Sequence, residues 1–327
     1  MRMGRAWLAA FALALGAPAG AKDWAIALHG GAGVIERSRL SAAEDAAIRA
    51  ALGRALDAGA AVLAGGGSAV DAVVTAVALL EEAPQFNAGV GAVFTSAGTI
   101  ELDAAVMDGR TRALGAVTGV TRTKSPVALA RRLMEVGPHV FLAGEGAEAF
   151  ARAQGLEEVA NSHFMTGQRR RQLDDQRHRG QGAALAAQLS MGTVGAVARD
   201  SAGHLAAATS TGGLTGKAPG RIGDAPVVGA GTLAEDGVCA VSATGSGELF
   251  LRARVAGQIS DRIRFGGQPL AAAAAAALAD MASLGGAGGL VAVDAEGRIA
   301  MPMTTPGMYR AAATGAGMRA VAIYADE

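Results

Sequence analysis

A polar, arginine-rich stretch divides this chain into two parts of similar texture, and that division constrains the fold more than any other feature. Residues 161–182 contain Gln168-Arg169-Arg170-Arg171, Asp174-Asp175 and Arg177-His178-Arg179, with few large apolar side chains. Such a stretch has little apolar surface to offset the entropy of ordering it, so it reads as an exposed, flexible linker, taken here as 161–191. The basic run alone would suit a nucleic-acid partner. Against that, Lys plus Arg total 29 and Asp plus Glu total 29, and no basic, aromatic-bearing surface accompanies the run. A solvated linker is the simpler reading, and no nucleic-acid partner is expected.

Helices and strands alternate on both sides of the linker. Residues 24–28 read as a short buried strand ending in the turn His29-Gly30-Gly31-Ala32-Gly33. Ser41, with Glu44 three residues on, opens an Ala-rich helix that runs to Leu56. Ser68 with Asp71 opens a second helix, to Glu82. Residues 100–106 read as a strand. Ser125-Pro126 caps another helix, and 144–154 reads as a short one. Beyond the linker, strands are expected at 193–198, 205–209, 238–242 and 319–324, with a helix over 247–264. Residues 289–293 and 298–302 flank a turn at Asp294-Ala295-Glu296-Gly297. The pattern predicts layered α/β structure.

The N-terminus has the form of a secretory signal. Arg2 and Arg5 precede an apolar run over 6–15, and Ala19-Gly20-Ala21 offers a small-residue exit. The run falls well short of the roughly 20 residues that span a bilayer. Later apolar runs are broken by Asp71 or followed by Asp280. Residues 1–21 are therefore expected to be a signal peptide. The mature chain is expected from Lys22, exported, in the periplasm and free of the membrane. The single cysteine, Cys239, excludes an internal disulfide and a Cys-rich zinc site.

No catalytic group announces itself by spacing. His29, His139, His163, His178 and His204 form no zinc-binding pattern, and there is no G-x-S-x-G elbow or P-loop. Taken alone, the glycine clusters are turns. One junction stands out: the polar linker ends in Gly192, and Thr193 begins a buried strand. Cutting the bond between them would give Thr193 a free α-amine, with a pKa of about 7.7–8.0, beside its own hydroxyl. Such an amine can act as base for a hydroxyl that is otherwise a poor nucleophile. By spacing alone, a threonine opening a strand is structural.

Several blocks change that reading. They are Ile26-Ala27-Leu28-His29-Gly30-Gly31-Ala32-Gly33, Gly66-Gly67-Ser68-Ala69-Val70-Asp71-Ala72-Val73 and Phe86-Asn87-Ala88-Gly89-Val90-Gly91-Ala92-Val93-Phe94. Glu101-Leu102-Asp103-Ala104-Ala105-Val106-Met107-Asp108-Gly109 follows, then Gly192-Thr193-Val194-Gly195-Ala196-Val197-Ala198. Thr209-Ser210-Thr211-Gly212-Gly213, Lys217-Ala218-Pro219-Gly220-Arg221-Ile222-Gly223-Asp224 and Thr244-Gly245-Ser246-Gly247-Glu248 complete the set. In this order the chain resembles the plant-type asparaginase and isoaspartyl peptidase family of N-terminal nucleophile (Ntn) hydrolases.

The resemblance implies a four-layer αββα sandwich, made as a precursor that cuts itself between Gly192 and Thr193. Residues 22–192 would be the α fragment and 193–327 the β fragment, assembling as an (αβ)2 dimer. Thr193 would be the nucleophile, Thr211 its hydroxyl partner, and Thr244 with the Gly245 amide the oxyanion donors. Arg221 would hold a substrate α-carboxylate and Asp224 its α-ammonium, with Gly247 and Asn87 close to the ligand. Without the family blocks, Arg221 and Asp224 could as well pair with each other. Leu80, Glu81, Ala83, Phe86, Ala88 and Val90 would offer main-chain carbonyls to a structural sodium ion, a donor set suited to a hard cation. No catalytic cofactor is implied.

The implied reaction is hydrolysis of β-aspartyl dipeptides and L-asparagine to L-aspartate through a β-aspartyl-threonine ester. Glycosylasparaginase is the rival within the superfamily. An exported amino-acid-binding protein is the rival from another class. Ala83 stands where relatives often carry Cys, and Met303-Thr304-Thr305-Pro306-Gly307-Met308-Tyr309 departs from the family's Asn-Thr pattern.

Overall fold

The computed structural model describes residues 23–179 and 192–327. The expected signal peptide and the second part of the expected linker lie outside them. Two sheets form the centre. The larger has eight strands in the order β12-β11-β1-β5-β6-β2-β3-β4. Its strands are β1 (Ala25–Gly33), β2 (Leu102–Asp108), β3 (Leu114–Val120), β4 (Phe141–Ala143), β5 (Val194–Arg199), β6 (Leu205–Thr211), β11 (Gly307–Thr314) and β12 (Arg319–Tyr324). The smaller sheet, in the order β10-β9-β8-β7, holds β7 (Thr232–Glu235), β8 (Cys239–Gly245), β9 (Gly288–Asp294) and β10 (Ile299–Ala300).

Strand alternation shows which way each side chain faces. In β1, Ile26 and Leu28 pack under the helices beside the large sheet, whereas Ala25 and Ala27 pack towards the small sheet. Residues 194, 196 and 198 of β5 and 206 and 208 of β6 follow the first pattern, and Val197, Leu205 and Ala207 the second. Helices α1 (Ala42–Ala64), α2 (Ala69–Glu81), α3 (Pro126–Val136) and α4 (Gly144–Ala153) cover the outer face of the large sheet. On the small sheet's outer side lie α6 (Gly247–Ala253), α7 (Val255–Arg264) and α8 (Leu270–Ser283). The molecule is thus a mixed α/β structure with two sheets flanked by helices, as the pattern predicts.

The helix starts follow their sequence signals. Ser41 and Glu44 form a reciprocal capping box, and Ser68 and Ser125 cap α2 and α3. Other elements differ from expectation. The glycine-rich segment after Leu28 is not a turn but the continuation of β1, with a register shift between His29 and Gly31. The expected helix over 247–264 is two, broken where Arg254 adopts φ 49°. Strands β3, β4, β7 and β11 were not expected; β3 and β11 are rich in Gly and Ala, which carry little β signal.

The expected linker also differs within the described residues. Residues 167–179 form helix α5 (Gly167–Arg179), preceded by a 3-10 turn at Asn161–Phe164. Phe164 and Leu173 are buried in the main core, and Arg169 is buried with its Nε donating to the Gly91 carbonyl. Arg170 stacks over Phe94 at 4.3 Å. An average over composition misses such docking, because a few anchors suffice to order a helix whose other faces are solvated.

Candidate active site

Thr193, Thr211, Arg221, Asp224 and Gly245 line one small cavity, together with Gly213, Leu214, Gly223 and Ala225. The strands deliver them. Thr193 immediately precedes β5, and Thr211 closes β6. These strands pair antiparallel, with Val194 opposite Ser210, so both threonines lie at one end. The alternation that turns Val197 and Ala207 towards the small sheet also turns Thr193 and Thr211 there. From the opposite sheet, Thr244 and Gly245 end β8.

The Thr193 hydroxyl donates to Thr211 Oγ1 at 3.1 Å, and Thr211 Oγ1 also accepts from the Gly213 amide at 2.9 Å. The Thr193 amide donates to Thr244 Oγ1 at 3.0 Å, and the Ala32 amide reaches the same oxygen at 3.4 Å. With two N–H groups on its oxygen, the Thr244 hydroxyl keeps its proton to donate. Gly192 is packed tightly against Gly31: a Cβ on either would collide with the other's backbone. The bond before Thr193 is thereby held against β1.

Arg221 and Asp224 do not pair as an isolated couple. The guanidinium gives Nε and Nη2 to the Glu248 carboxylate at 2.9 and 2.8 Å, a bidentate fork. This pairing holds the Glu248 carboxyl below its ordinary range. Nη1 of Arg221 lies over Gly213 and Gly223, which line the cavity. Asp224 is buried, its Oδ2 has no partner, and burial pushes its carboxyl up to about 7. One oxygen of a buried carboxyl on a cavity-lining residue is thus left as an open acceptor. Gly247 sits where a Cβ would press on Arg221 Nη2 and Asp224 Oδ1.

Asn87 is placed differently. Its Nδ2 donates to the Gly213 carbonyl at 2.7 Å and its Oδ1 accepts from the Val93 amide at 3.0 Å. Both amide atoms thus hold backbone behind the pocket. The carbonyl-bearing segment 80–90 curls on itself: Val90 N–H donates to Glu81 O, Phe86 N–H to Ala83 O and Ala83 N–H to Leu80 O. Glu81 O and Ala83 O each keep a lone pair in this curl, whereas Leu80 O also takes the Glu82 amide. Main-chain carbonyls are the donor type that a hard cation takes.

Three further side chains matter to which the sequence reading gave no role, Glu81 having entered it only through its main-chain carbonyl. Glu248 closes the Thr244–Glu248 block and holds Arg221. The Glu81 side chain, fully buried, accepts from Ser210 beside Thr211, from Ser125 and from the Val127 amide, and its carboxyl is pushed up to about 7 by burial. His29 lies between the sheets, its Nε2 3.0 Å from Ser242 Oγ. Both His29 and Glu248 stand inside the quoted blocks, so position within a motif was the available signal. Glu81 had none, because its partners are remote in sequence.

The family model described as Asparaginase matches residues 22–323. An Escherichia coli (strain K12) protein named isoaspartyl peptidase is 50% identical over 293 residues, covering 88% of this chain and 91% of its own. Human isoaspartyl peptidase/L-asparaginase is 40% identical over 289 residues, covering 88% and 92%. An Arabidopsis thaliana protein named probable isoaspartyl peptidase/L-asparaginase 2 is 40% identical over 325 residues, covering 92% and 99%. The match runs through every block from which the pocket is built, and the chain belongs to the asparaginase family.

Proposed function

We propose that this protein is an isoaspartyl peptidase and L-asparaginase that releases L-aspartate through an ester on Thr193, after cutting its own chain between Gly192 and Thr193. The observation that carries the proposal is the Thr193 hydroxyl, 3.1 Å from Thr211 in a cavity that is also lined by Arg221 and by Asp224, whose Oδ2 has no partner. The names of the relatives point to the same chemistry.

In the first step Thr193 Oγ1 attacks the Gly192 carbonyl carbon, the bond to the Thr193 nitrogen breaks, and that nitrogen takes a proton. Water then splits the resulting ester, leaving the Gly192 carboxylate and a free Thr193 amine. In turnover, the amine takes the hydroxyl proton as Oγ1 attacks the side-chain carbonyl of the substrate. Thr244 and the Gly245 amide stabilise the oxyanion. The leaving amine departs with a proton, and water resolves the β-aspartyl ester to aspartate. Arg221, braced by Glu248 through Nε and Nη2, presents Nη1 at the cavity to hold the α-carboxylate, and Asp224 holds the α-ammonium.

Residues 22–192 and 193–327 stay together as α and β fragments, and two such pairs form the working dimer. Carbonyls of Leu80, Glu81, Ala83, Phe86, Ala88 and Val90 hold a sodium ion that stiffens the loop under α2. Residues 1–21 direct export. Among the described residues, no helix is long and apolar enough to cross a membrane.

The test is the intact mass of the purified protein after prolonged incubation, beside Thr193→Ala, with turnover of β-Asp-Leu followed in both. Two fragments, one beginning at Thr193, and a loss of turnover of at least about a thousandfold in the variant are expected. A chain that stays whole in both, with stoichiometric ligand binding, would instead make it a binding protein.

A further inference from the structure

One histidine is fully buried and unused by the chemistry above. His29 belongs to a chain of polar side chains that crosses the space between the sheets. His29 Nε2 and Ser242 Oγ are 3.0 Å apart, Ser242 Oγ and Thr209 Oγ1 2.7 Å, and Thr209 Oγ1 and Thr232 Oγ1 2.5 Å. Thr232 Oγ1 donates to the Ala225 carbonyl at 2.9 Å, next to Asp224. All four side chains have zero exposure. At the other end, His29 Nδ1 has no hydrogen-bond partner, and the ring lies against the Thr193 backbone.

The position of this chain follows from strand register. Thr209 precedes Thr211 by two residues on β6, and Ser242 precedes Thr244 by two on β8, so each pair shares a face. His29 on β1 is opposite Gly195 on β5, two residues after Thr193. Thr232 is opposite Ser242. The polar chain therefore lies one step, about 7 Å, beneath the catalytic threonines. It also accounts for Gly195: a Cβ there would collide with Ser242 Oγ and come within 2.8 Å of His29 Nε2.

The next layer shows what simple burial requires. Ala27, Val197 and Ala207 fill the equivalent places with apolar side chains. Apolar contact is non-directional and lets two sheet faces slide slightly, whereas hydrogen bonds fix direction and distance. The reaction needs the opposite of sliding. Its nucleophile sits on the large sheet and its oxyanion donors on the small one.

We propose that His29 is a positioning residue: through Ser242, Thr209 and Thr232 it pins the sheet carrying Thr244 and Gly245 to the sheet carrying Thr193 and Thr211. The proposal rests on the reading of those four residues as nucleophile, partner and oxyanion donors. Losing the pin displaces the donors from the developing charge, which lowers kcat. Substrate binding through Arg221 is left in place, so KM barely moves.

The test compares wild type, His29→Leu, His29→Gln, Thr209→Val and Thr193→Ala. For each, kcat and KM for β-Asp-Leu are measured per cut chain, with the cut fraction taken from intact mass, and the melting temperature is recorded. His29→Leu is expected to lower kcat roughly 30-fold with KM within about threefold, the scale of a displacement under 1 Å. His29→Gln, whose amide reaches towards Ser242, is expected to recover most of that loss. Thr209→Val keeps shape and removes one hydroxyl, and roughly a tenfold fall in kcat is expected. If His29→Leu does not fold or cut, Thr209→Val decides. Wild-type kcat in a folded His29→Leu or Thr209→Val protein, or a KM rise without a kcat loss, would overturn the proposal. Retained turnover in Thr193→Ala would instead overturn the nucleophile assignment beneath it.

Discussion

The space between the two sheets has two ends, and they are built from different chemistry. At one end, Ala25, Ala27, Val197, Leu205 and Ala207 meet the apolar side chains of the small sheet. At the other, the same strands carry His29, Thr193, Thr209 and Thr211, facing Ser242 and Thr244. Both ends are buried, though Thr193 and Thr211 also line the cavity. The apolar end gains stability from area alone. The polar end is held by directed hydrogen bonds, with His29 Nδ1 left without one, and gains definite geometry in return. A fold that needed only stability would continue the apolar end throughout. The contrast separates residues that hold the sandwich together from those that aim it.

With the nucleophile itself left intact, the largest effect should come from the rim of the polar end. Arg221→Lys keeps the charge but loses the planar fork shared with Glu248, so kcat/KM for β-Asp-Leu should fall by roughly 30-fold or more, mainly through KM. An unchanged KM would mean the α-carboxylate is held elsewhere.

Asp224 supplies a pH signature. Its carboxyl, raised to about 7 by burial, binds the α-ammonium only when ionised. As pH falls below about 7 the neutral form grows and adds its own loss to that from protonating the Thr193 amine, so kcat/KM should drop more steeply than about tenfold per unit. A bound ammonium favours the carboxylate, so the acid limb of kcat should lie lower than that of kcat/KM. Coincident limbs would remove Asp224 from ligand contact.

At the apolar end the expectation reverses. Val197→Ala should cost about 1–3 kcal/mol of unfolding free energy, read by denaturant titration, yet leave kcat per cut chain within about twofold. A large kcat loss there would erase the distinction between the ends.

The smallest effect concerns acid stability. Burial holds His29 down to about 3, against 6.5 in the unfolded chain. Between those values the unfolded state binds a proton that the folded state refuses. Stability is therefore lost as pH falls below about 6.5, by up to about 1.4 kcal/mol per unit. Folded His29→Gln should lose less on going from pH 7 to pH 5. An identical slope in both proteins would place the titration elsewhere.

How much of this was legible beforehand varies element by element. Helices α1, α2 and α3 were visible because Ser41, Ser68 and Ser125 act through residues three positions away. Strand β3 and helix α5 were not. Gly115 and Gly119 weaken the pattern of β3, which is stabilised by β2 and α3. Helix α5 depends on Arg169 meeting Gly91 and Arg170 meeting Phe94, contacts with residues far earlier in the chain. The continuation of β1 through Gly30 and Gly31 was hidden for the same reason: β11 supplies its hydrogen bonds.

By itself the sequence determined the inventory: which threonines, which arginine and which carboxylate, and the alternation that turns residues two apart to one face. The alternation is a local property of spacing; the candidate side chains were named only through the resemblance of the blocks that carry them. Only the tertiary structure decided which faces meet. That Arg221 takes Glu248 rather than Asp224, that Asp224 is left unpartnered, and that His29 reaches Ser242 depend on packing. These pairs lie far apart along the chain or compete for the same group, and sequence spacing carries no information about which contact wins once two sheets close on each other.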